Sequence, residues 1–348
     1  MKSQSRQRTA LRVAIVGAGL MGYWHGRTAR RLGAEIVGIA DPNAERAATL
    51  ARALGVRSTT ADAADLLRAN CLDAVHICSP LSTHAALARR SIESGIHALV
   101  EKPLAKSAEE TRALFDLASG KGVVLCPVHQ VAFQDAVANA MHAIDYLRDA
   151  SAIEIRICSA GGTGRTDREL DEIAAEILPH PLSVLRRLWP NADWKPELWS
   201  VSHSRPGEVL VSGEYAGALL SMLISMHARP TCFEMTVCGD RGAIQLDFFH
   251  GFAVRHDGRV SRMRKILRPF SATIKVFGAA SANLLNRAIR GEAAYPGLRA
   301  LMQAFYAAAR DEGPSPISAE DAIRVAAARD RILVAALSET NERVKLTA

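Results

Sequence analysis

Residues 11–22 read LRVAIVGAGLMG, an apolar run followed by three glycines in the spacing Gly17-x-Gly19-x-x-Gly22. The run has the length of a buried strand, and a helical apolar pattern begins after Gly19. In such a strand–loop–helix unit the first glycine permits a tight turn and the second lets the backbone approach a pyrophosphate, while the third lets the helix pack on the strand. The segment therefore predicts a dinucleotide-binding loop at a helix N-terminus, formed by Gly17, Gly19, Leu20, Met21 and Gly22.

Asp41 ends the next predicted strand, 19 positions beyond Gly22. In dinucleotide-binding folds an acidic residue at this place bonds the ribose hydroxyls, and its charge repels the 2′-phosphate of NADP. NAD is therefore the expected cofactor, with NADP disfavoured. Asp41 also precedes Pro42, which is an ordinary start for a helix, so a role as helix cap is the alternative.

Residues 11–126 alternate short apolar runs with helical patterns, which is typical of a doubly wound parallel sheet. The predicted strands are residues 11–16, 35–40, 74–78, 98–100 and 123–125. The predicted helices are residues 20–32, 44–54, 61–69, 83–94 and 108–118. We therefore expect an α/β Rossmann domain over residues 1–127.

The pattern changes after residue 127, where strand-like runs follow one another across short turns. The predicted strands are residues 153–159, 198–203, 208–215, 218–226, 231–238, 243–248 and 252–255. The predicted helices are residues 132–147, 170–188, 298–311 and 319–337. Because strands joined by short turns pair antiparallel, we expect an α+β domain on a mostly antiparallel open sheet over residues 128–313.

The composition is that of an ordinary globular protein, with 49% hydrophobic and 23% charged residues in 348. No apolar run approaches the roughly 20 residues of a membrane span, and residues 1–9 are basic and polar, unlike a signal peptide. A cytoplasmic protein is expected. The scattered cysteines form no Cys-x-x-Cys pair and predict free thiols with no metal site: Cys71, Cys78, Cys126, Cys158, Cys232 and Cys238.

The net charge of +7 is concentrated in residues 255–290, which contain nine basic residues and one acidic residue. The rest of the chain is close to neutral, so the charge does not favour nucleic-acid binding. From residue 274 to 289, apolar residues share one helical face, opposite to Lys275, Asn283, Asn286, Arg287 and Arg290. One interpretation is a helix that covers the sheet or forms a subunit contact. The other is attraction of an acidic substrate, such as a nucleotide sugar or lipid-linked pyrophosphate, or contact with an anionic membrane surface.

Two further segments resemble the Gfo/Idh/MocA family of NAD(P)-dependent oxidoreductases. Residues 75–84, VHICSPLSTH, are similar to the turn after the family's fourth strand, and Glu101-Lys102-Pro103 is similar to its signature after the fifth strand. The resemblance implies that Ser79, Pro80 and His84 lie along the nicotinamide side of the cofactor, with Glu101 and Lys102 beside them.

The resemblance extends to the end of the chain. Residues 314–324 look like the family's returning helix, so a helix over about 314–340 is expected against the first domain. Family members often pair through the exposed face of the second-domain sheet, which implies a homo-oligomer, either a dimer or a tetramer. Residues 255–290 have no counterpart in the family.

A second segment with implied catalytic residues is Glu176-Ile177-Leu178-Pro179-His180. The family usually has Asp-x-x-x-His here, so His180 matches and Glu176 departs from the pattern. A spacing of four places both side chains on one helix face, and histidine, with an ordinary pKa of about 6.5, is suited to proton exchange. The family's Asn-x-Arg is also replaced here, leaving His129 and Gln130 as candidates to face the nicotinamide or the substrate.

The resemblance implies hydride transfer between the nicotinamide and a hydroxyl-bearing carbon of a sugar, nucleotide sugar or cyclitol. His180 would exchange the hydroxyl proton, Lys102 would stabilise the charge on the oxygen, and Glu176 would orient the site. Two alternatives come from other members of the family. One is a glycosidase or lyase that oxidises its substrate transiently with tightly held NAD, and the other is a non-catalytic protein that senses a ligand.

Overall fold

The computed structural model of the chain describes residues 10–68, 72–147, 149–311 and 313–347. Residues 1–9 and Cys71, on which two of the expectations fall, lie outside the described residues. The chain divides into two compact units. Unit 1 comprises residues 1–128 and 299–323, and unit 2 comprises residues 129–298 and 324–348.

Unit 1 contains a six-stranded parallel sheet, and the predicted doubly wound fold is confirmed. Its strands are β1 (Arg12–Val16), β2 (Glu35–Ala40), β3 (Thr59–Thr60), β4 (Ala74–Ile77), β5 (His97–Val100) and β6 (Leu125–Pro127). Its connecting helices are α1 (Leu20–Arg31), α2 (Ala44–Leu54), α3 (Ala63–Arg68), α4 (Leu81–Glu93) and α5 (Ala108–Lys121). The strand order is β3-β2-β1-β4-β5-β6, so the order reverses between β1 and β4. In sheets of this kind, ligands bind beyond the carboxyl ends of the strands at that reversal.

Two strands of this sheet differ from the prediction. β3 has only two residues, Thr59 and Thr60, which pair with the end of β2. Neither threonine belongs to an apolar run, so the pairing depends on the neighbouring strand and leaves no local signal. β6 lies at 125–127, two residues later than the predicted 123–125.

Unit 2 contains a seven-stranded sheet, which confirms the predicted mostly antiparallel architecture. Its strands are β7 (Ala150–Cys158), β8 (Ser200–Ser202), β9 (Glu208–Tyr215), β10 (Ala218–Ser225), β11 (Cys232–Gly239), β12 (Gly242–Asp247) and β13 (Phe252–Asp257). The order is β13-β12-β11-β7-β10-β9-β8, and β7 with β10 forms the parallel pair. The helices that follow in the chain are α6 (Asp135–Leu147), α7 (Asp167–Ile177), α8 (Pro179–Leu188), α9 (Arg262–Arg290), α10 (Leu298–Asp311) and α11 (Ala319–Thr347).

The single helix predicted over residues 170–188 is wrong, because the chain forms two helices there. α7 ends at Ile177 and α8 begins at Pro179. Proline has no backbone N–H, so Pro179 cannot donate to the carbonyl of Ala175 four residues earlier. That carbonyl instead accepts a hydrogen bond of 3.1 Å from Nε of Arg329. Glu176 and His180 therefore lie on different helices and not on one face of a continuous helix.

The C-terminal helices group differently from the domain limits expected from the sequence. Most of α10 belongs to unit 1, since the buried Phe305 and Tyr306 contact the ring of His76 there. α11 begins in unit 1, but from residue 324 it belongs to unit 2. Three of its apolar residues join the core of unit 2: Val325, Ala328 and Ile332.

The five described cysteines are free thiols: Cys78, Cys126, Cys158, Cys232 and Cys238. Burial raises the pKa of Cys126 to about 12, so this thiol stays protonated at neutral pH. Within the described parts of the chain, no group of three His, Cys, Asp or Glu side chains is placed to hold a metal ion.

Candidate functional site

The glycine loop has the geometry that its spacing predicts. Gly17 has a φ of +100°, and a Cβ there would lie 2.6 Å from the backbone carbonyl of Cys78. A Cβ on Gly22 would overlap the carbonyl oxygen of Gly17, so α1 can reach the loop only without a side chain at that position. A Cβ on Gly19, by contrast, would meet no atom within 4 Å. Gly17 and Gly22 are thus required by internal packing, whereas Gly19 leaves open space beside the backbone.

The start of α1 suits an anionic group. Gly19 precedes the helix and provides no side-chain cap, and the first turn contains no acidic residue. The backbone N–H groups at a helix start carry partial positive charge and bind phosphates. Leu20 is exposed and Met21 is half-buried at this turn. The open space at Gly19 and the uncapped helix start therefore fit a bound pyrophosphate.

Asp41 connects the glycine loop to the start of α2. Its Oδ2 accepts a hydrogen bond of 2.7 Å from the N–H of Ala18, and its Oδ1 accepts one of 2.8 Å from the N–H of Asn43. The cap of α2 is Asn43, whose side chain accepts from the N–H of Arg46. The alternative interpretation of Asp41 as helix cap is therefore wrong. Asp41 lies at the carboxyl end of β2, next to the strand that leads into the loop.

His84 connects the turn after β4 to the turn after β5. Its ring is buried, with Nε2 at 2.7 Å from the carbonyl oxygen of Ser79 and Nδ1 at 2.7 Å from that of Pro103. The hydroxyl of Ser79 is 2.6 Å from that of Thr83, and Pro80 precedes the first residue of α4. The structure thus brings together the two segments on which the resemblance rests. It places the His84 ring between backbone carbonyls, which is a structural role.

A chain of buried polar side chains ends at the backbone of Lys102, and it was not predicted from the sequence. Nε2 of His25 is 3.1 Å from a carboxylate oxygen of Glu101, and Nδ1 of His25 is 3.1 Å from Nδ1 of His76. Nε2 of His76 is 3.0 Å from the hydroxyl of Tyr306. The other carboxylate oxygen of Glu101 accepts from the backbone N–H of Lys102 at 3.2 Å. All of these side chains except that of Lys102 are buried.

The protonation of this chain follows from its surroundings. Burial by itself would raise the pKa of Glu101, but the hydrogen bond from His25 and the charge of Lys102 outweigh this and lower that pKa. Burial lowers the pKa of His76 well below its usual value, so His76 is neutral at neutral pH. Because an ionised carboxylate only accepts, Nε2 of His25 donates to Glu101.

The remaining candidate residues lie in unit 2. His180 is the second residue of α8, half-buried, with its ring centroid 6.4 Å from that of Phe233. Glu176, near the end of α7, contributes negative charge that favours the charged form of Arg329. Burial is the larger effect on Arg329, and it lowers the pKa of that guanidinium.

His129 and Gln130 are both buried. Gln130 begins a short 3₁₀ helix, Gln130–Phe133. The side-chain oxygen of Gln130 is buried and accepts no hydrogen bond from the described residues. Such an atom costs about 1–3 kcal/mol unless a water or ligand donor reaches it, so Gln130 is a candidate for ligand contact.

Comparisons with known proteins agree with this geometry. The GFO_IDH_MocA family, described as an oxidoreductase family with an NAD-binding Rossmann fold, matches residues 11–129. UDP-N-acetylglucosamine 3-dehydrogenase from Acidithiobacillus ferrooxidans is 35% identical over 140 residues, which are 40% of this chain and 41% of that protein. The scyllo-inositol 2-dehydrogenase (NAD(+)) of Bacillus subtilis is 34% identical over 137 residues, 39% of this chain and 40% of that protein.

The likeness in structure covers more of the chain. The structure of levoglucosan dehydrogenase in complex with NADH and levoglucosan has a TM-score of 0.73 at 21% identity, covering 95% of this chain and 98% of that one. At this identity the likeness concerns the fold alone. In sequence, this chain spans about two fifths of the length of the curated relatives that it matches. The match to the Gfo/Idh/MocA oxidoreductase family with an NAD-binding Rossmann fold is therefore a match of residues 11–129.

Proposed function

We propose that the protein is an NAD-dependent oxidoreductase acting on a hydroxyl-bearing carbon of a sugar, nucleotide sugar or cyclitol. The observation that carries this proposal is the placement of Lys102 in unit 1. β1, β4 and β5 are neighbours in the parallel sheet, so the glycine loop, the Ser79 turn and Lys102 follow the carboxyl ends of adjacent strands. A lysine that follows the carboxyl end of a strand in the same sheet as a loop proposed to bind phosphate suits a reaction that builds negative charge on a substrate oxygen.

The residues divide into those that hold the cofactor and those that act on the substrate. The loop from Gly17 to Gly22 and the start of α1 would hold the pyrophosphate, and Asp41 would accept from the ribose hydroxyls. NAD, when bound, supplies a hydride acceptor. Lys102 would stabilise the charge that develops on the substrate oxygen, and His180 would take the hydroxyl proton.

Glu176 has a positioning role in this proposal. Arg329 donates to the carbonyl of Ala175, next to the junction of α7 and α8, and the charge of Glu176 favours the charged form of Arg329. Glu176 would therefore orient His180 by fixing the start of α8 through Arg329. Ser79, Pro80, His129 and Gln130 are proposed to line the nicotinamide or the substrate, and His84 to hold the turn at Ser79 in place beside them.

The direct test is turnover of a substrate panel. Purified protein with NAD should form NADH with at least one free sugar, UDP-sugar or inositol, and the product should lack two hydrogens. Absorbance of NADH and mass spectrometry of the product measure the two quantities. Conversion of a glycoside without net NADH would favour the glycosidase or lyase alternative. NAD binding without conversion of any panel member would favour the non-catalytic one.

Asp41→Asn tests the cofactor preference. Asparagine keeps an acceptor for the N–H of Ala18 but removes the charge that would repel a 2′-phosphate. The repulsion between the two charges is at least about 1 kcal/mol, so the ratio of kcat/KM for NADP to that for NAD should rise by at least about fivefold. Asp116→Asn, an exposed change of equal charge on α5, should leave the ratio unchanged. An equal ratio in both variants would contradict a ribose contact for Asp41.

A further inference from the structure

Helix α9 is attached to unit 2 by its polar side chains. Nζ of Lys275 donates to the carbonyl of Arg255 at 3.3 Å, and Arg290 forms an ion pair of 2.6 Å with Asp135. Asn283 and Arg287 both donate to the carbonyl of His250, at 2.9 and 2.8 Å. These four residues belong to the face that the sequence marks as polar. The polar face of α9 is therefore the face turned toward its own unit.

The apolar face of α9 consequently points away from the unit. At 100° per residue, eight of its large apolar side chains fall within an arc of about 100°, and they are between 49% and 73% exposed. They are Met263, Ile266, Leu267, Phe270, Ile274, Phe277, Leu284 and Leu285. The interpretation of this segment as a helix that covers the sheet with its apolar face is therefore wrong. Removing eight such side chains from water is strongly favourable, so this apolar arc is a strong site for a partner.

The charge of α9 decides between the candidate partners. The helix has seven basic residues and no acidic residue. Arg262, Lys265 and Arg268 are exposed at its N-terminal end. A second copy of the chain would bring an equal surplus of positive charge against this one, which opposes association of the two helices. An anionic surface brings the opposite charge and, if it is a lipid surface, apolar volume for the arc as well.

We propose that α9 lies on the surface of an anionic lipid bilayer, with its apolar arc at the boundary between headgroups and acyl chains. A strongly amphipathic helix with basic residues on one side and Phe, Leu and Ile on the other binds in this way. Each Lys or Arg near an anionic leaflet strengthens this binding further. Among the described residues no helix is long and apolar enough to cross a bilayer, so α9 would lie in the plane of the surface.

The test is flotation of the full chain with lipid vesicles. The protein should float with vesicles of equal parts phosphatidylcholine and phosphatidylglycerol, bind pure phosphatidylcholine far more weakly, and dissociate as salt is added. The double variant Phe270→Ser/Phe277→Ser should bind at least about 100-fold more weakly, because it removes two aromatic side chains that the bilayer would bury. Lys265→Glu/Arg268→Glu should also bind at least about tenfold more weakly.

A matched control makes the result specific to α9. Leu198 and Leu219 are equally exposed apolar residues of unit 2 that lie outside α9. Leu198→Ser/Leu219→Ser should bind vesicles like the unchanged protein, and all variants should keep the same melting temperature and affinity for NADH. Absence of binding to the anionic vesicles, or equal loss in the control, would overturn the proposal. If the protein instead self-associates in sedimentation and only the phenylalanine variant disperses it, the arc is covered by a second copy.

Discussion

Lys102→Met is expected to lower kcat by about 10²–10⁴-fold while the affinity for NADH changes little. Methionine keeps most of the length and volume of lysine but has no charge to stabilise a substrate oxygen. The backbone should stay in place, since the Glu101 carboxylate accepts from the backbone N–H of residue 102 and not from its side chain. Steady-state kinetics with the substrate found in the panel, and NADH titration by fluorescence, measure the two effects separately.

His180→Gln should show a loss of similar size in kcat. The matched controls are Lys121→Met at the end of α5 and His142→Gln on α6, both at exposed positions. These controls should retain full turnover. Near-normal kcat in both Lys102→Met and His180→Gln would contradict the proposed roles, even if the protein still binds NAD.

The elements whose bounds could be predicted are marked by residues at or near their own ends. β2, α2, β9 and α10 have the bounds that the sequence predicts. At α2, Asn43 caps the start, and Gly55 adopts the left-handed conformation at the end with a φ of 64°. Such signals lie within a few residues of the element that they limit. The glycine loop is of the same kind, because each of its constraints involves the turn itself or the strand beside it.

What the sequence did not indicate depends on contacts between distant residues. His25 and Glu101 are 76 positions apart, and His76 and Tyr306 are 230 apart. Nothing near His25 distinguishes it from a histidine on a helix surface. Pro179 is a local signal for the break between α7 and α8, but the apolar periodicity continues past it and favours one helix. The Arg329 side chain that donates to the carbonyl of Ala175 comes from another helix. The orientation of α9 was also hidden, since periodicity shows that a helix has two faces but not which one is inward.

His25→Phe is expected to destabilise the protein by about 3–5 kcal/mol, because it leaves the buried carboxylate of Glu101 without its partner. Phenylalanine preserves the ring volume, so loss of packing is a small part of the effect. For a domain of this size, that corresponds to a fall in Tm of roughly 10 °C. Thermal unfolding followed by circular dichroism measures it. Tyr306→Phe, which removes only the hydroxyl at the other end of the chain, should cost about 1 kcal/mol.

The same network gives the stability a definite dependence on pH. His76 has a pKa lowered by burial, so below its usual value of 6.5 the unfolded chain binds a proton that the folded chain does not. Glu101 also has a lowered pKa, so the unfolded chain again takes up a proton first as the pH falls below 4.5. Both groups therefore stabilise the fold above these values, and both contributions are lost as the pH falls. His76→Gln should remove the upper part of this loss and flatten Tm against pH just below 6.5.

A double variant distinguishes an unpaired buried charge from lost packing as the cause of the stability loss in His25→Phe. Glu101→Gln in the His25→Phe background removes the buried charge, so it should restore part of the lost stability even though it adds a second substitution. If packing were the cause, the second change would lower the Tm further. Partial recovery would also bear on Lys102, since glutamine can still accept from its backbone N–H through the side-chain oxygen. The double variant should then be folded, with the backbone of Lys102 in place. Its kcat would show whether the charge of Glu101 affects Lys102 in addition to the hydrogen bond that holds the backbone.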